Sequence, residues 1–120
     1  MKYSSFEELP VWQDAIELTT RAFLLTDDAS FRNKGDIANQ LQRAALSVSN
    51  NIAEGFERGT TAELITFVYY AKGSAGETHN QLYLAADLSY IPPERAGSLR
   101  ADARPIGGKI YALIRSLGGS

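Results

Sequence analysis

The residues best placed to do chemistry lie in the middle of the chain. Within QLQRAALSVSNNIAEG, residues 40–55, Arg43, Ser47, Asn50 and Glu54 are spaced four, three and four apart, with Asn51 beside them. Helical geometry puts residues three and four apart on one face, so these side chains share a stripe. Tyr70, Ser74, Glu77 and Gln81 form a comparable stripe further on, and Gly73 and Gly76 sit where a helix could let another backbone come close. One reading makes Glu54 and Glu77 paired carboxylates for acid–base work, with Arg43 in the same interhelical cleft. It requires an accessible pocket and carboxylates of raised pKa. The opposing reading is structural: Arg43, Asn51, Glu54, Glu77 and Gln81 form a packed polar network that fixes helix register.

Metal chemistry finds little support. A di-iron bundle needs Glu and His three apart on each of two helices. Here Glu77 and His79 are two apart, no second histidine exists, and there is no cysteine. No metal and no cofactor are expected. The GxxxxGK, GxGxxG and GxSxG patterns are absent as well. His79 itself reads as a surface or interface residue.

These stripes require helices, and the apolar spacing is helical nearly throughout. The first helix is expected from Glu7 or Pro10 to Thr26, with Ser4 or Ser5 capping and Glu8 placed to reciprocate. Asp27 and Asp28 then open a loop. The second helix runs from Gly35 or Asp36 to about Arg58, on Ile37, Leu41, Ala44, Val48, Ile52 and Phe56. Gly59-Thr60-Thr61 breaks it, and Thr60 or Thr61 caps the third, which uses Leu64, Val68, Ala71, Ala75, Leu82 and Ala85. Ile65 to Tyr70 is strand-like in composition but lacks alternation, so it stays helical. The fourth helix follows Pro92-Pro93 on Leu99, Ala103, Ile106, Ile110, Leu113 and Leu117. Proline costs roughly 3 kcal/mol inside a helix and glycine roughly 1. Pro105-Ile106-Gly107-Gly108 therefore predicts a kink or a split near Arg104. The fold class is all-α: an antiparallel up-down-up-down four-helix bundle forming a single domain over residues 1–120.

Composition is that of an ordinary globule, 44% hydrophobic and 22% charged over 120 residues. No apolar run approaches the ~18–20 residues of a membrane span, and the acidic start is no secretion signal, so a cytoplasmic protein is expected. The net charge of −2 argues against a globally basic nucleic-acid binder. The charge is uneven, however. Residues 1–33 sum to −3, while residues 91–120 carry Arg95, Arg100, Arg104, Lys109 and Arg115 against Glu94 and Asp102, a sum of +3. Arg100, Arg104, Lys109 and Arg115 are the candidate nucleic-acid contacts; the bland alternative is a solvated helix face.

Apolar surface exceeds what one bundle needs. Val11, Ala15, Leu18, Ala22 and Leu25 form one stripe of the first helix, and Trp12, Ile16 and Phe23 a second. Together they cover roughly 180°, against ~100° for a core-facing stripe. Ile65, Tyr69 and Tyr83 lie likewise beside the third helix's stripe. Val11, Leu18, Leu25, Ile65, Tyr69 and Tyr83 are the candidate oligomer interface; the alternative is cover from loops or the amino-terminal arm.

Several of these residues also form a recognisable pattern. Phe6, Leu9, Val11-Trp12 and Ala15 open it, and Gln40-Leu41-Gln42-Arg43-Ala44-Ala45, Ser47 and Asn51-Ile52-Ala53-Glu54-Gly55 are its strongest part. Phe67, Ala71, Gly73-Ser74, Glu77 and Gln81-Leu82 continue it. The sequence resembles, from about residue 6 to 91, the 23S rRNA intervening-sequence proteins. That resemblance implies a left-handed four-helix bundle, a ring-like homopentamer, and no assigned activity or catalytic residue. A related branch serves diversity-generating retroelements, binding reverse transcriptase and nucleic acid through a basic surface. Three departures stand out: His79 where the family is often acidic, the Pro105 interruption, and an overall acidic chain. The resulting expectation is a non-enzymatic oligomeric scaffold or adaptor that binds itself and, through the carboxy-terminal basic segment, RNA or DNA. The alternatives are a protein–protein adaptor without nucleic acid, or an enzyme using Glu54, Glu77 and Arg43.

Overall fold

A computed structural model describes residues 3–27, 31 and 35–119. A 3-10 turn, Phe6–Glu8, leads into α1 (Pro10–Thr26), α2 (Gly35–Glu57), α3 (Thr61–Asp87) and α4 (Pro93–Ser116). No strand occurs among the described residues; Ile65 to Tyr70 lies within α3. The four helices fit a four-helix bundle of 43 × 20 × 19 Å.

The helix ends follow from local chemistry. Pro10 occupies the first turn of α1, where its missing N–H costs nothing. Ser4 donates its backbone N–H and its hydroxyl to the Glu8 carboxylate, at 3.1 and 2.7 Å. Those two bonds hold Glu8 below the usual carboxylate range, the hydroxyl contributing most. Asp27 is the C-cap of α1; Asp28 lies outside the described residues. At α3, the Thr60 hydroxyl accepts from the Glu63 N–H at 3.2 Å, capping the helix, and donates to the Glu63 carboxylate at 3.0 Å. Ser89, at φ 63°, turns the chain out of α3, and the Tyr90 N–H closes on the Ala85 carbonyl at 2.9 Å.

On α2, α3 and α4 the core follows the helical period of the apolar residues. Leu18, Leu41, Val48, Ile52, Val68, Leu82, Ile106 and Ile110 are fully buried. α1 packs on α2 and α4, and α3 on α2 and α4. Thr19 of α1 donates to the Ala45 carbonyl of α2 at 3.0 Å, and Gln42 of α2 to the Thr26 hydroxyl at 2.8 Å. These buried hydroxyls tie α1 to α2 without leaving a polar atom stranded.

Of the backbone expectations, the split of the fourth helix and the choice of close-approach glycine need correcting. α4 is one helix from Pro93 to Ser116 and is not split at Pro105. Pro105 stands on an exposed face, and Ala101, whose carbonyl it deprives of an intrahelical donor, is itself exposed and borders a cavity with Asp102 and Lys109. The close-approach glycine is Gly55, not Gly73 or Gly76. A Cβ on Gly55 would stand 2.6 Å from the Phe67 Cβ and 3.3 Å from the Leu64 Cα. At Gly73 and Gly76 it would meet nothing within 4 Å. Packing α2 on α3 therefore requires glycine at 55 alone among the three.

Gly55→Ala should lower stability by about 1–3 kcal/mol through overpacking, although alanine is the better helix former. Gly73→Ala should raise it by up to ~1 kcal/mol. Urea unfolding of the two variants checks both signs.

Candidate functional site

The mid-chain polar residues do not converge on one site. Asn51 donates to the Ser47 carbonyl and hydroxyl at 2.8 and 2.9 Å, and the Ser74 hydroxyl donates to that of Ser47 at 2.9 Å. Thr78 closes the set on the Ser74 carbonyl at 2.8 Å. Short hydroxyls thus occupy the α2–α3 seam. The longer side chains stand on its flanks: Glu54 pairs with Arg58 of its own helix at 3.2 Å, while Arg43 and Glu77 are exposed without a hydrogen bond or ion pair among the described residues. Gln81 keeps a buried Oε1 without a donor. Glu54 borders a cavity of about 600 Å³ with Phe6, Asn50, Asn51, Ala53 and Glu57; neither Glu77 nor Arg43 reaches it. The arrangement is neither a carboxylate pair nor the joined Arg43–Glu54–Glu77 network.

The apolar candidates also divide. Val11, Leu18 and Leu25 belong to the core, at 5%, 1% and 4% exposure, because their stripe faces the other helices. As buried side chains they offer a second copy no surface. Trp12 is partly covered by Phe6, stacked on it at 5.2 Å, so the amino-terminal arm does supply some cover. What stays outside on α1 is Ile16, Phe23 and Leu24, the last 67% exposed. Ile65 is half-buried against the core, and Tyr69 and Tyr83 are exposed.

A different set of residues does meet, along the groove between α3 and α4. Lys72, Gly76, His79 and Tyr83 are spaced four, three and four along α3; Arg100, Arg104, Gly107 and Tyr111 repeat that spacing on α4, and Arg115 follows one turn later. Because α4 continues past Pro105, Arg115 stays in line: its guanidinium lies 5.8 Å from the Tyr111 ring centre and donates to the Tyr111 hydroxyl at 3.1 Å. The Lys72 ammonium lies 5.7 Å from the same ring. At the other end Arg100 stacks on Tyr83 at 3.9 Å, and His79 meets Tyr83 edge-on at 5.3 Å. Between them lies a cavity of about 230 Å³ lined by Lys72, Ala75, Gly76, His79, Ala103, Arg104 and Gly107, with no carboxylate in its wall.

The electrostatics are consistent with an anion site. Lys72, Arg100, Arg104 and Arg115 have no ion-pair partner among the described residues. Lys109 points the other way and pairs with Asp14 of α1, and Arg21 pairs with Asp102. Burial first, then the charges of Arg104 and Arg100, hold the His79 imidazole below its ordinary value. Of the residues singled out in the sequence as nucleic-acid contacts, the groove brings together Arg100, Arg104 and Arg115 and leaves out Lys109. It adds Lys72, Tyr83, Tyr111 and His79. Lys72 escapes a tally by segment because its own segment sums to −2; its i, i+4, i+7 relation to Gly76 and His79 was the available signal.

Comparison with known proteins places the fold. The family model for the 23S rRNA-intervening sequence protein matches residues 7–112. The chain belongs to that family. A solved structure from Bacteroides thetaiotaomicron VPI-5482, of a protein of unknown function from the S23 ribosomal protein family, is similar in fold. It aligns with a TM-score of 0.78 at 24% identity, covering 87% of this chain and 97% of that one. No curated protein matches. The family match reaches past the Pro105 region of α4, so this member keeps a full fourth helix despite that proline. No helix among the described residues is long and apolar enough to cross a membrane.

A depressed His79 has a definite consequence for stability. The unfolded chain takes up the proton at about pH 6.5, the folded chain only lower, so this contribution is intact above pH 6.5 and is lost as pH falls. As the single histidine, His79 gives one imidazole Cε1–H resonance. Its NMR titration midpoint should lie below 6.5. Acidification from neutral pH toward 5.5 should destabilise the native chain more than His79→Gln.

Proposed function

We propose that this family member is a non-enzymatic, self-associating helical scaffold that binds nucleic acid along the α3–α4 groove. The observation that carries the reading is the groove itself: Lys72, Arg100, Arg104 and Arg115 stand unpaired beside Tyr83 and Tyr111, with no carboxylate lining the cavity between them. Cations in a row contact successive phosphates and release counterions, giving affinity that is independent of sequence and sensitive to salt. Exposed aromatic faces add stacking for unpaired bases.

The scaffold is an up-down-up-down bundle forming one domain, a reading supported by the cyclic contacts α1–α2, α2–α3, α3–α4 and α4–α1. Self-association is supported by the exposed Ile16, Phe23 and Leu24 on α1. The family resemblance implies a pentamer. Five copies would repeat the +3 of residues 91–120 to about +15, turning a modest patch into a strong field. The intended setting is the cytoplasm, and no cofactor enters the scheme. The enzyme reading is set aside because Glu54 and Glu77 do not border a common cavity.

Anisotropy titrations with a structured RNA test the binding. Log affinity is expected to fall linearly with log salt, and Lys72→Gln with Arg104→Gln to reduce that slope by roughly 1–2. Lys109→Gln should leave it unchanged. Absence of binding at tens of micromolar protein and low salt would overturn the nucleic-acid reading and leave a protein partner. For self-association, light scattering should give a particle heavier than 13.1 kDa, and Phe23→Glu should shift it toward that mass. A native particle of one chain's mass would overturn it.

A further inference from the structure

The middle of the groove carries features that phosphate contacts alone do not explain. Gly76 and Gly107 lie inside helices, where glycine is unfavourable, yet a Cβ on either would meet nothing within 4 Å. No packing contact requires them. Both border the 230 Å³ cavity, as do Lys72, His79 and Arg104. The His79 Nε2 and the Arg100 Nη1 are sealed from solvent and have no hydrogen-bond partner, and Arg100 stands outside the cavity wall. The two side chains meet on the same ring, that of Tyr83. Missing side chains that would otherwise narrow a cavity and a cationic wall without a carboxylate call for one thing, an oxygen-rich anion.

We propose that this cavity seats a single phosphodiester of the bound nucleic acid, and that seating it places a proton on His79. The inference rests on the nucleic-acid reading above and specifies its central contact. In the free protein burial and the charges of α4 favour the neutral ring. On α3 the neighbours of His79 are Lys72, on the same cavity wall, and the uncharged Tyr83 ring; Glu77 is exposed and forms no ion pair. From α4 the charges of Arg104 and Arg100 act on it, and no charge from α2 stands among those that do. A phosphate monoanion beside Arg104 offsets that positive field and provides an acceptor, so the imidazolium becomes the favoured form. Binding then takes up a proton, and affinity rises as pH falls through the histidine range.

The test uses the full chain and a rhodamine-labelled oligouridylate with a 5′ hydroxyl, whose phosphodiesters and bases do not titrate between about pH 5.5 and 8. Affinity is expected to rise several-fold from about pH 8 to 5.5, and the His79 NMR midpoint to rise when the oligonucleotide is bound, by one unit for each tenfold in linked affinity. His79→Gln should remove the pH dependence and keep the weaker binding. Gly76→Ala with Gly107→Ala should fold, with a helix propensity no worse than native, and bind several-fold less tightly at low pH. Binding that is equally strong at both pH values, or equally pH-dependent in His79→Gln, would overturn the proton-linked seat while leaving the groove reading standing. Unchanged binding by the double alanine variant would overturn the cavity as its location. No binding by the native chain at either pH in low salt would overturn both readings.

Discussion

The close packing of α3 on α4 is the constraint from which the groove follows. Where the two helices meet at the cavity the buried residues are small: Ala75 on one helix and Ala103 on the other. Small contact residues let helix axes approach to the near end of the usual 8–10 Å range. Flanking side chains are then brought within reach of each other across the seam. Lys72 of α3 reaches Tyr111 of α4, and Arg100 of α4 reaches Tyr83 of α3. Continuity of α4 through Pro105 extends the same row to Arg115. A helix broken at Arg104 would end the cationic row halfway.

Net charge is a poor guide to this surface. The chain is acidic overall, but its acids neutralise cations elsewhere: Asp102 holds Arg21, Asp14 holds Lys109, and Glu54 and Glu63 hold Arg58. In the α3–α4 groove Lys72, Arg100 and Arg115 are left with aromatic rings for neighbours. Exposed ion pairs contribute little to stability. Here they matter more for where positive potential remains than for holding the fold together.

Much of the fold was legible in the sequence because helical period and end signals agree. Thr60 with Glu63, Pro10 and Pro92-Pro93 mark boundaries by chemistry that depends only on local chain geometry. The site was less legible because it is built across helices. Arg43, Glu54 and Glu77 share plausible faces, but small rotations put short hydroxyls at the seam and long charges in water. Val11, Leu18 and Leu25 were expected on the outside, yet two adjacent apolar stripes cannot both face inward, and spacing alone does not say which one does. Gly55 and Gly73 look equivalent in a sequence; only the neighbour's backbone distinguishes them. Lys72 joins Arg104 in space from a segment of opposite average charge.

The most direct measurement maps amide chemical-shift changes when a structured RNA is added at moderate salt. The account predicts that shifts concentrate on Lys72, Gly76, His79, Arg104, Gly107 and Tyr111, the two facing rows of α3 and α4. Shifts centred instead on Asp14 and Lys109, or on Ile16, Phe23 and Leu24, would contradict it.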